Sequence, residues 1–277
     1  MTKKIGIVCC SDGIRQGYED EIEELRRTLA DMGIESVISP FLYARDGVAS
    51  GTAEERAKAV MDFYKDDTID VICDISGGDI ANGILSYLDY SVIAKTNKPF
   101  WGYSDLTTVL NAIYAKTGQT GVLYQIRNVL YKEREQQMAD VQNVLCDDGD
   151  ALYRIDYRYV QGTQMHGIVV GGNIRCFLKL AGTAYMPDLH GKILLLESRS
   201  GTVARMETYL SQLQQIGAFE QIAGILLGTF TEMEAKQCMP DIVQLVKRYA
   251  GDNMPIAVTG QIGHGTDAKG IVIGAEL

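Results

Sequence analysis

Histidine is scarce in this chain: His166, His190 and His264 are the only three among 277 residues. So few make a multi-histidine metal site an unpromising expectation. The six cysteines (Cys9, Cys10, Cys73, Cys146, Cys176 and Cys238) never fall into a C-x-x-C pair, which argues against structural zinc. Most lie inside apolar runs such as VCC and VICDI, where free cysteine acts as a small hydrophobe. Neither a metal nor any other cofactor is expected. Positive charge is also short: 26 Lys+Arg stand against 36 Asp+Glu, a formal net charge of −10. That balance argues against a nucleic-acid partner or a membrane surface. Long hydrophobic runs are missing too. IGIVCC, directly after MTKK, is too short for a signal h-region or a membrane span, so a cytoplasmic protein is expected. There is no G-x-G-x-x-G and no G-K-[ST], hence no dinucleotide fingerprint or P-loop.

What is present is a regular alternation in the first half. KIGIVCC reads as a strand ending in Ser11-Asp12-Gly13, and EDEIEELRRTLADMG as an acid-led helix closed by Gly33. IESVISP, TAEERAKAVMDFYKD and IDVICDI follow as strand, helix and strand, and IANGILSYLDYSVIAKT as a helical stretch before KPFWGY. Such spacing implies βαβ units in a doubly wound parallel sheet. Ligands bind beyond the carboxyl ends of these strands. Three segments end there with small or polar residues: Ser11-Asp12-Gly13, Ser76-Gly77-Gly78-Asp79 and Tyr103-Ser104-Asp105. Residues 131–150 turn polar and read as a helical linker. Beyond it LYRIDYRYV alternates like antiparallel strands, and GKILLLE, IAGILLGTF, MPIAVTG and GIVIGAEL are apolar strands of a smaller mixed α/β domain.

Candidate chemistry concentrates at three places. Ser104 sits where a strand gives way to a helix, and either a helix cap or a nucleophile fits there. A nucleophilic serine needs a base and an orienting acceptor. His264 lies between Gly263 and Gly265 in a loop where backbone can approach a ligand, whereas His166 reads as a structural strand histidine and His190 as a solvated turn residue. Glu197 terminates the apolar strand KILLLE, as either a plain exit to solvent or a carboxylate delivered from a rigid element.

The order of these segments resembles the LD-carboxypeptidases, a family of serine peptidases. ISGGDIANGILSYLDY is similar to the family's Gly-Gly loop, KPFWGYSDLTTVLNAIYAKTG to its nucleophile segment with Gly-Tyr-Ser-Asp as the most specific element. GGNIRCFLKLAGTAYMP with GKILLLE is similar to the approach to its glutamate, and IGHGTDAKGIVIG to its histidine loop. The resemblance implies Ser104 as nucleophile, His264 as general base, Glu197 as its orienter, and the N–H groups of Gly78 and Asp105 as oxyanion hole. It implies a flavodoxin-like first domain over 1–130, a linker over 131–150 and a second domain over 151–277 carrying the glutamate and histidine. It further implies a homodimer that releases a C-terminal D-amino acid from a peptidoglycan-derived peptide by cutting an L,D bond. Two alternatives are a microcin C immunity-like hydrolase of a peptidyl-nucleotide amide and a non-catalytic module binding a peptide or small ligand. The immunity-like enzyme is expected to stack its nucleotide on an aromatic from an added loop, and no such loop is evident around the lone Trp101. One departure is Tyr124-Gln125-Ile126, where the family commonly carries an aromatic-Gly-Pro step.

Overall fold

The computed structural model describes residues 2–45 and 47–277. Its first half runs β1 (Lys3–Val8), α1 (Glu19–Asp31), β2 (Ile34–Ile38), α2 (Ala53–Lys65), β3 (Val71–Asp74), α3 (Tyr90–Ile93), β4 (Phe100–Gly102), α4 (Thr107–Thr117), β5 (Gly121–Leu123) and α5 (Arg134–Cys146). Then come β6 (Arg158–Gln161), β7 (Val169–Asn173), α6 (Ile174–Leu178), β8 (Ile193–Ser198), α7 (Val203–Gln215), β9 (Gly224–Phe230), α8 (Thr231–Ala235), α9 (Ile242–Ala250), β10 (Ile256–Val258) and β11 (Ile271–Ile273). Two sheets result, ordered β11-β5-β4-β3-β1-β2 and β6-β10-β9-β8-β7. The five strands β5-β4-β3-β1-β2 are parallel and in flavodoxin-like order, with the switch point between β1 and β3. In the second sheet β7 to β10 are parallel and β6 is antiparallel to β10.

Local chemistry accounts for the elements. α1 starts with Glu19, Asp20 and Glu21, which complement the positive end of the helix dipole, and buries Ile22, Leu25 and Leu29 along one face. α2 opens with a capping box: Thr52 Oγ1 accepts from Glu55 N–H at 3.1 Å and Glu55 Oε2 accepts from Thr52 N–H at 2.8 Å. Buried parallel strands read as unbroken apolar runs, and every residue of β8, ILLLES, is buried. Each of its three fully covered leucines contributes about 1.5–3 kcal/mol.

Two sequence expectations change in three dimensions. The stretch 80–96 is not one helix but a 3-10 segment (Ala81–Tyr87) followed by α3. Leu88 is extended, and Asp89 caps a new start by accepting from the N–H groups of Ser91 and Val92. Residues 131–150, read as a helical linker, hold α5, whose Val141 and Leu145 pack in the core with residues of the first sheet. The last strand does not stay with the second sheet: β11 pairs antiparallel with β5, and residues just beyond it bond to the start of β7 (Gly274 N–H to Val169 O 2.9 Å, Val169 N–H to Ala275 O 2.8 Å). One apolar core runs from the α4 side of the first sheet through to the second, so the two units are joined over a buried surface.

Candidate active site

The turn after β4 holds Ser104 in the left-handed region at φ +55°, with Tyr103 extended before it. For a non-glycine residue this costs about 1–2 kcal/mol, and such costs persist where the surroundings enforce them. Among the described residues Ser104 Oγ bonds to no backbone N–H. Its Oγ lies 3.2 Å from His264 Nε2 instead. The neighbouring Asp105 is what anchors the turn. Fully buried, it accepts from Ser11 Oγ (2.7 Å) and Ala81 N–H (2.8 Å) through Oδ2 and from Lys179 Nζ (2.5 Å) through Oδ1. Lys179 also donates to Asp79 O (2.9 Å), and Arg175 donates to Gly78 O (3.1 Å) while pairing with Asp79. Helix α6 and its C-cap Lys179 thereby clamp both the Ser104 turn and the Gly77-Gly78 loop.

Glu197 is placed by a register shift. The β8–β9 pairing slips between Leu196 and Ser198, a bulge of the kind that re-aims a side chain. Its parallel partner across β7 is Asn173, whose Nδ2 donates to Glu197 Oε1 at 3.0 Å. Glu197 Oε2 lies 2.6 Å from His264 Nδ1, where the ring N–H donates to the carboxylate. The two side chains are only 2% and 5% exposed, so water competes little for this bond. The histidine loop is held against β9 by Thr229 N–H donating to Ile262 O (2.8 Å). Glycine is required beside it: Gly263 has φ +151°, and a Cβ there would fall 1.9 Å from Thr229 Oγ1. The Tyr103 ring packs on His264 with centroids 4.4 Å apart. Burial, and then the Glu197 charge, push the Tyr103 hydroxyl well above its ordinary range, so it stays a neutral phenol.

Gly78 adopts φ +133°, and a Cβ there would sit 2.1 Å from Asp12 Oδ1. The N–H groups of Gly78 and Asp105 find no protein acceptor among the described residues. The departing segment forms an inner wall. Tyr124 is buried edge-on against Trp101 (5.9 Å) and its hydroxyl donates to Gln137 Oε1 at 2.5 Å, while Gln125 Oε1 accepts from Arg127 N–H at 3.3 Å.

Two family models cover the chain: the LD-carboxypeptidase N-terminal domain matches residues 5–125 and the C-terminal domain residues 166–277. The chain belongs to the LD-carboxypeptidase family. This peptidase is similar to the murein tetrapeptide carboxypeptidase of Pseudomonas aeruginosa, at 24% identity over 90% of this chain and 85% of that one. It is also similar to the microcin C7 self-immunity protein of Escherichia coli, at 26% identity over 66% and 62%. A structure of a microcin C7 self-immunity protein aligns with TM-score 0.86 at 20% identity, covering 100% of this chain and 92% of that one. A muramoyltetrapeptide carboxypeptidase from Oxalobacter formigenes aligns with TM-score 0.83 at 20% identity, covering 99% and 94%. Both structural likenesses concern the fold.

The other histidines lie apart from this cluster. His190 is exposed and bonded to Asp188, as a turn residue should be. His166 corrects the reading of a structural strand histidine: it is exposed and precedes β7, because the strand begins only at Val169. Among the described residues no group of three or more His, Cys, Asp or Glu is arranged to hold a metal. Sequence reasoning assigned no role to Asn173, Tyr103, Ser11 or Lys179. Asn173 carried a signal, since a polar residue ends an apolar strand after two glycines, but its partner becomes visible only through strand register.

Proposed function

We propose that the protein is a serine carboxypeptidase that cuts an L,D bond to release a C-terminal D-amino acid from peptidoglycan-derived peptides. One observation carries this reading: the unbroken line from Ser104 Oγ to His264 Nε2 (3.2 Å) and from His264 Nδ1 to Glu197 Oε2 (2.6 Å). His264 takes the Ser104 proton as Oγ bonds to the scissile carbonyl carbon, and Glu197 offsets the charge of the imidazolium. The carbonyl oxygen, now anionic, is met by the N–H groups of Gly78 and Asp105, which need no reorganisation because Asp105 and α6 hold both segments. His264 then passes the proton to the departing amine, and a water repeats the sequence on the acyl-serine. The reading extends to a homodimer in the cytoplasm on the strength of the family resemblance. No helix among the described residues is long and apolar enough to cross a membrane.

The immunity-like alternative gains nothing from the lone tryptophan. Trp101 is 1% exposed within β4 and cannot stack a nucleotide. The binding-module alternative leaves Ser104 as a cap, but among the described residues its Oγ bonds to His264 and to no backbone N–H. Incubation with murein tripeptide, tetrapeptide and pentapeptide, read by mass, tests the substrate class: the tetrapeptide should lose one D-alanine. A fluorophosphonate probe should label the wild type and not Ser104→Ala, whose turnover should fall by about 10³–10⁶-fold with an unchanged fold. Wild-type turnover in that variant would refute the nucleophile.

A further inference from the structure

A cleft of about 200 Å³ opens at the switch point of the first sheet, between the loops that follow β1 and β3. Open α/β sheets bind ligands at such crevices. Its walls include Asp12, Arg15, Tyr18, Gly77 and Arg127, and Gly77 leads directly into Gly78 of the proposed oxyanion hole. Two guanidinium groups facing one cleft are conspicuous in a chain of net charge −10.

Arg127 lines the cleft and is anchored through one nitrogen. Its Nη1 donates to Glu21 Oε1 at 3.3 Å, and Tyr131 Oη donates to the same oxygen at 3.2 Å. Its Nε is buried with no partner among the described residues, a donor whose desolvation is uncompensated until something accepts from it. Arg15 is exposed and has no ion pair among the described residues. Arg127 lies in the 3-10 turn Ile126–Leu130, and Gln125 Oε1 accepts its backbone N–H, so the segment that departs from the family pattern leads straight into this residue.

A planar fork of N–H donors suits a carboxylate, which it can bind with two parallel hydrogen bonds. The negative groups facing Arg127 are Glu21 behind it and Asp12 across the cleft, and they favour a single negative charge over a dianion such as phosphate. We propose that Arg127, assisted by Arg15, binds the α-carboxylate of the substrate's C-terminal residue, the part that departs as a free amino acid. The inference rests on the carboxypeptidase reading and supplies what an exopeptidase requires, a group that detects the chain end. It makes Arg127 a specificity residue of the cleft that leads to Gly78.

The test compares a murein tetrapeptide ending in D-alanine with its C-terminal carboxamide, using the full-length protein. Wild type should prefer the free acid by about 10- to 100-fold in kcat/KM, the worth of hydrogen bonds to a charged group. Arg127→Gln should lose most of that preference, chiefly through KM on the acid, while the amide changes far less. Arg127→Lys should restore part of it, and Arg15→Gln should show a smaller loss of the same kind. Calorimetric binding of both peptides to Ser104→Ala reads the discrimination without turnover and in parallel with thermal melting of each variant. Equal use of acid and amide by the wild type overturns the inference. So does an Arg127→Gln variant that melts normally yet loses both peptides equally. If the fluorophosphonate still labels Ser104 in those cases, the carboxypeptidase reading survives alone. Failure of wild type to cut or of Ser104→Ala to bind either peptide overturns both.

Discussion

At the scale of single residues, the site depends on how one carboxylate is shared. Glu197 presents Oε2 to His264 and Oε1 to Asn173, so both of its oxygens are committed in a region closed to water. Glu197→Gln keeps an oxygen for the ring N–H but supplies no charge to offset the imidazolium, and it can turn its amide donor toward either partner. The expected loss in kcat is about 10²–10⁴-fold, with KM little altered. Steady-state kinetics of wild type beside Glu197→Gln check this, and a variant matching the wild type would remove Glu197 from the mechanism.

At the scale of elements, helix α4 carries the nucleophile turn and is docked directly on β7. Asn111, fully buried, donates to Gly171 O and accepts from Gly171 N–H, each at 2.8 Å, and Thr107 Oγ1 accepts from Asn173 N–H at 3.0 Å. The Asp105–Lys179 pair adds a second bond between the same units, and it binds a carboxylate with no exposure to a lysine that keeps 19% of its side chain in water. Removing the lysine strands a buried charge. Lys179→Met should cost about 2–3 kcal/mol in urea unfolding, below the full price of a completely buried pair. It should also lower kcat by more than it raises KM, because the turn and the Gly78 loop lose their shared anchor. Lys179→Met combined with Asp105→Asn should recover much of the stability but not the rate. Recovery of neither would mean that the pair is not what holds these segments.

At the scale of the whole molecule, the proposed reacting groups come from both sheets: Ser104 follows β4, while Glu197 lies near the end of β8 and His264 follows β10. The final strand β11 returns to the edge of the first sheet and covers β5. A fragment of residues 1–150 therefore lacks the base, its orienter and the strand that closes one sheet edge. It should be inactive and, with β5 unpaired, prone to association through that edge. Adding residues 151–277 as a separate chain should restore activity together with monodisperse behaviour in gel filtration. Activity in the isolated first fragment would contradict a site assembled from both halves.

The sequence by itself determined the alternation of elements in the first half, because buried parallel strands and amphipathic helices leave different periodicities in the chain. It also carried Ser104, Glu197 and His264 as candidates, since each stands where an apolar run yields to small or polar residues. Local pattern could not say that Ser104 would forgo capping, because that depends on a ring 160 positions later in the chain. Nor could it pair Asn173 with Glu197, Asp105 with Lys179, or β11 with β5, which are contacts between elements remote in sequence. No sequence pattern singled out Arg127; only the folding of β1 and β3 around their switch point set it on one cleft with Arg15. Periodicity reports which face of an element is buried, whereas tertiary packing alone decides what that face meets.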